Sequence, residues 1–161
     1  MSAPQPQPQP PAPAGRITVA AGPLWAGGVA TACVAALVAG VGVLFFNYVF
    51  EVDLVGTALL LPITDSLALN YAITAFLLGL AATGLAHLLS LTTPRPRVFF
   101  AWIVGLVTVA AMVVPFAFEG DLVGKVGTAV INLVIGISIA SLLRSVLART
   151  VVDAARSWQK R

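Results

Sequence analysis

Phe50-Glu51-Val52-Asp53-Leu54-Val55-Gly56 returns as Phe118-Glu119-Gly120-Asp121-Leu122-Val123-Gly124, identical at six of seven positions and 68 residues further on. Each copy ends a long apolar run with two carboxylates. Midway between them lies Thr92-Thr93-Pro94-Arg95-Pro96-Arg97, a connector whose only charges are basic. The runs themselves are long: no charged residue occurs between Ile17 and Phe50. About 20 apolar residues suffice to cross a bilayer. Acidic and basic connectors alternating between such runs predict an all-α membrane protein with four transmembrane helices in a bundle.

Composition agrees. Of 161 residues, 59% are hydrophobic and 9% charged, with a mean hydropathy of +0.99, against roughly 25% charged residues in a soluble domain. The spans are expected at about 24–50, 67–91, 98–118 and 123–147, within one transmembrane domain covering 23–147. That leaves no room for a separate soluble catalytic domain. Residues 1–22 form a Pro/Gln-rich tail, expected to be solvated and polyproline-like because proline fixes φ and offers no donor. Arg16, the first charged residue, follows the polar tail, which is not the order of a signal peptide. Residues 148–161 read as a basic amphipathic helix lying in the interface. Arg149, Arg156 and Lys160 are on its polar side and Trp158 is on the apolar one, a pattern suited to anionic lipid. A helix docking on a partner protein uses the same pattern.

Orientation follows from the bases. With the tail, the central connector and the C-terminus on one side, that side holds Arg16, Arg95, Arg97, Arg144, Arg149, Arg156, Lys160 and Arg161 against Asp153. The other holds Glu51, Asp53, Asp65, Glu119 and Asp121 against Lys125, which stands four residues past Asp121 and can pair with it. Positive residues stay in the cytoplasm, so both termini are expected inside, in a plasma membrane. The net charge of +3 is explained by these flanks and does not point to nucleic acid. The repeat admits two parallel two-helix halves, or two independent helix caps of similar chemistry.

Three spans carry residues at i+4 spacing, mostly small: Gly28, Ala32, Ala36 and Gly40; Ala75, Gly79, Thr83 and His87; and Gly124, Thr128, Asn132, Gly136 and Ala140. Such ridges let helix backbones approach closely in lipid. Asn132 lies beyond the first turn of its span, where an amide requires a partner. Pro115 should kink or end the third span. Thr64, Asp65 and Ser66 are candidate caps for the second, and 54–61 is apolar enough for a short interfacial or re-entrant segment.

Chemistry has few residues to work with. Glu51, Asp53, Glu119 and Asp121 would suit a hard cation if the halves brought them together; as caps, the aspartates need no metal. His87 is either a proton relay or ligand or a histidine satisfied by a carbonyl or headgroup water, and the lack of a second histidine or nearby acid favours the latter. Cys33 is single, so no intramolecular disulfide can form. No catalytic constellation, metal set or phosphate loop is present, and no cofactor is implied.

Ala101-Trp102 opening the third helix, Val114-Pro115 at its outer end, and Gly127-Thr128-Ala129 leading into a polar, small-residue fourth helix resemble an uncharacterised actinobacterial family of small four-helix membrane proteins. The resemblance covers about residues 22–147. It implies four spans in a plasma membrane, and no activity or site. The sequence therefore reads first as a non-enzymatic structural or accessory subunit, associating through its small-residue faces as a homo-oligomer or within a larger membrane complex, with lipid as its surroundings. The alternative is a small transporter or channel subunit for a neutral or apolar solute, with a polar site at His87 or Asn132.

Overall fold

Ser66 begins the second helix as expected: its side chain accepts a hydrogen bond from the Leu69 N–H, supplying one of the partners that a helix start lacks. Around it the chain forms α1 (Ala21–Val49), α2 (Leu67–Thr92), α3 (Pro96–Val113), a 3₁₀ turn (Val114–Ala117) and α4 (Leu122–Gln159). The structure is a computed structural model that describes residues 21–54 and 63–159, with side chains as far as Arg149. The tail at 1–20 and the apolar connector beyond Leu54 thus lie outside the described residues, as do the side chains of Arg156 and Trp158 and the whole of Lys160.

Among the described residues, four helices are long and apolar enough to cross a membrane. At 1.5 Å per residue α1 measures about 43 Å and α2 about 39 Å, against a hydrocarbon core of about 30 Å. Residues 148–159 continue α4 as one helix of 38 residues. Its length of about 57 Å exceeds the membrane core, so a large part of it stands outside.

Glycine positions define the packing. A Cβ on Gly28 would strike the Thr83 side chain, and one on Gly79 would come within 2.7 Å of the Ala32 Cα. Further along, a Cβ on Gly40 would meet that of Ala72 at 3.7 Å. As α1 numbers rise, their α2 partners fall, so the two helices run antiparallel with the expected stripes face to face. Gly28, Ala32, Gly79 and Thr83 are buried, whereas Ala36 and Gly40 are half-buried at the edge of the contact. Helix α1 also lies along α4, where Gly27 faces Val146 and Gly42 faces Ile131. Gly136 of α4 receives Thr108 of α3. The hydroxyls in this apolar core donate to the carbonyl four residues back, as Thr31 does to Gly27, Thr83 to Gly79 and Ser90 to Ala86; this keeps them satisfied where no water is available.

Over its described residues, 50–54 and 118–124, the repeated motif is not repeated in conformation. Glu51 is left-handed in the first copy (φ 51°), whereas in the second the positive φ belongs to Gly120 (148°), which aligns with Val52. Nor do the helix contacts repeat: α1 packs closely on α4, whereas α2 and α3 leave a crevice between them.

Gly79→Ala should lower stability by about 1–3 kcal/mol, the usual cost of overpacking, because the new methyl meets helix backbone. Gly84→Ala, whose Cβ would have nothing within 4 Å, should leave stability unchanged. Thermal unfolding of both variants in one detergent checks the difference.

Candidate functional site

Pro115 determines how α3 ends. Its ring nitrogen carries no hydrogen, so the bond that would close onto the Ala111 carbonyl is missing; the α-helix stops at Val113 and tightens into the 3₁₀ turn. Asn132 of α4 supplies what proline removed: its side-chain amide donates to the Ala111 oxygen at 2.8 Å. The interhelical partner expected for Asn132 is therefore a carbonyl that proline left open. At the opposite end of the same helix pair, the Arg97 guanidinium donates to the carbonyls of Leu147 and Ala148 at 3.4 and 3.0 Å. Helix α3 is thus tied to α4 at both ends, with Thr108 seated on Gly136 between them.

Among the described residues, α2 and α3 show no pair of end-to-end ties like these. The facing side chains include Ala75, Ala82 and Ala111, and no glycine contact draws the backbones together. The result is a cavity of about 290 Å³ between α2, α3 and α4, walled by residues such as Leu78, Leu85, Val104 and Ile135. Thr74, Thr108 and Asn132 are among its polar lining residues. The Thr108 hydroxyl donates to Val104. Asn132 uses its NH₂ on Ala111, which leaves the amide oxygen as the acceptor of a residue that lines the space. Such a site suits an apolar molecule with at most one or two polar groups.

The other sequence candidates fall elsewhere. His87 does not join Asn132 in the cavity; it lies half-buried near the basic end of α2, its ring 6.4 Å from that of Trp25, and its Nδ1 makes no hydrogen bond among the described residues. Glu51, Asp53, Glu119 and Asp121 are exposed. Among the described residues no three His, Cys, Asp or Glu side chains gather as a metal would require. The Asp121 carboxylate accepts from the Val123 N–H at 3.1 Å, so of its two readings, cap and partner of Lys125, it takes the cap. The backbone N–H, a fixed partner at the helix start, is preferred to a flexible ammonium. Sequence reasoning missed Asn70. Its side chain holds Thr64 at three points, accepting from the Thr64 N–H and hydroxyl and donating to its carbonyl, and so ties the connector to α2.

Asn132→Leu should cost about 0.6–2 kcal/mol, the range of interhelical hydrogen bonds in membranes, while Pro115→Ala, which restores the missing donor, should make that loss smaller. A double-mutant cycle read by thermal unfolding checks this coupling.

Neither the curated proteins nor the solved structures contain a match to this sequence. A family model does match, over residues 19–149, which takes in all four spans. The chain belongs to that family, a family of unknown function designated DUF6069.

Proposed function

We propose that this protein is a non-enzymatic multi-pass protein of the plasma membrane that takes up a small, neutral, largely apolar molecule between α2, α3 and α4, as a carrier or channel subunit would. The observation that carries this reading is the cavity of about 290 Å³ at the α2–α3 seam, which glycine packing leaves open. Its walls match the inside of a bilayer in polarity, and the Asn132 oxygen offers one acceptor to a solute bearing a hydroxyl or amide.

The accessory-subunit reading drew on the small-residue stripes. Gly28, Ala32, Gly79, Thr83 and Gly136 are engaged within the chain, so they no longer call for a second copy. The outer side of α3, where Trp102, Leu106, Val109 and Val113 are exposed, is apolar as a lipid-facing surface is and does not by itself favour a partner. Orientation is supported by the way the antiparallel helices sort charge: Arg95, Arg97, Arg144 and Arg149 share one end and Glu51, Asp53, Asp65, Glu119 and Asp121 the other. The basic end is assigned to the cytoplasm, with both termini.

In a Cys33→Ser background, Glu119→Cys should react with a membrane-impermeant maleimide on intact cells and Arg95→Cys only after lysis; the reverse pattern would invert the topology. Native mass spectrometry of the protein from a mild detergent should reveal a small co-extracted molecule. Ala82→Phe, which fills the cavity, should lose it while keeping the unfolding temperature. A wild-type chain that retains no apolar probe, or an Ala82→Phe chain that retains it equally, would refute the binding role.

A further inference from the structure

A second recess lies on the outer side of α3, away from the cavity. Arg97 and Arg144 line it together with Trp102, Gly105, Leu106 and Val109. Its volume is about 540 Å³. Arg97 reaches α4 at Leu147 and Ala148, and Arg144 stands one turn before them, so two guanidinium groups share the mouth of one groove. Among the described side chains no carboxylate accompanies them: Glu51, Asp53, Asp65, Glu119 and Asp121 belong to the other end of the bundle, and Asp153, further along α4, lies beyond the described side chains. Two like charges lining one groove favour an anion between them, and at a membrane surface a lipid phosphate is at hand.

The apolar part of the groove has matching dimensions. From Arg97 to Val109 α3 rises about 18 Å, close to the depth of one leaflet in a core of about 30 Å. Gly105 lies midway and a Cβ there would meet nothing within 4 Å, so the wall is open where a chain would pass. Trp102 is exposed beside the basic mouth, at the level where indole rings favour headgroups.

We infer that the groove between Arg97 and Arg144 binds a phospholipid with an anionic headgroup, its phosphate held by both guanidinium groups and one acyl chain lying along α3 over Gly105. Guanidinium presents several donors in a fixed fork, so two of them can hold the phosphate oxygens while Arg97 keeps its bonds to α4.

The test is native mass spectrometry of the full chain in mild detergent, titrated with phosphatidylglycerol or phosphatidylcholine. Phosphatidylglycerol should be retained about tenfold more tightly. Arg144→Gln, at a side chain that makes no hydrogen bond among the described residues, should remove most of that preference. Gly105→Phe should weaken retention with both arginines intact, and circular dichroism should show both variants as helical as the parent. Equal retention of the two lipids, or unchanged binding in both variants, would overturn the assignment. Displacement of the lipid by millimolar inorganic phosphate would also overturn it, by revealing a bare anion site.

Discussion

The backbone contact between α1 and α2 is the constraint on which the rest of the bundle depends. Lipid tails are as apolar as leucine, so burial gives helices in a bilayer little reason to associate; close packing has to supply it. Gly79 has no Cβ, and Ala32 occupies the space where one would be. Gly28 makes the same room for Thr83 one turn away. With α1 set against α2 in this register, the other face of α1 is free to receive α4, and Gly27, Gly42 and Gly127 are the places where that helix comes close.

Helix α3 is held differently. Its ties to α4 are polar at both ends, through Asn132 to Ala111 and through Arg97 to Leu147 and Ala148. The first of these exists because of Pro115. A proline near the end of a membrane helix leaves a carbonyl that must find another partner, and an asparagine on the next helix provides it. Because α3 leans on α4 and α1 takes the close face of α2, the seam between α2 and α3 is filled only by side chains, many of them alanines. The cavity follows from which helices have glycine at their contacts and which do not.

Much of this was legible in the sequence, since the strongest constraint on a membrane chain is the length of its apolar runs. The spans, the cap at Ser66, the break at Pro115 and the close-packing role of Gly28, Ala32, Gly79 and Thr83 all come from local patterns. What the patterns do not carry is pairing. An i+4 ridge of small residues marks a face and is silent on whether the partner is another helix of the same chain or a second copy. For the same reason Asn132 could be expected to need a partner, whereas its link to Ala111 required knowing that α3 and α4 run side by side. The Phe-Glu-x-Asp repeat left two readings open that pattern alone does not decide: similar residues end α1 and precede α4, yet Glu51 and Gly120 take the positive φ at non-equivalent positions. Cavities arise from several helices at once, and no single stretch of sequence records the one beside Asn132.

The central claim, that the small-residue faces of α1 and α2 are joined within one chain, has a direct test. A Cβ on Gly40 would lie 3.7 Å from that of Ala72, close to the mean Cβ separation of a disulfide, about 3.8 Å. In a Cys33→Ser background, Gly40→Cys with Ala72→Cys should therefore oxidise rapidly in membranes to a monomeric, intramolecularly bridged chain. A disulfide-linked dimer in place of that monomer, or two cysteines that stay reduced under an oxidant, would contradict the account.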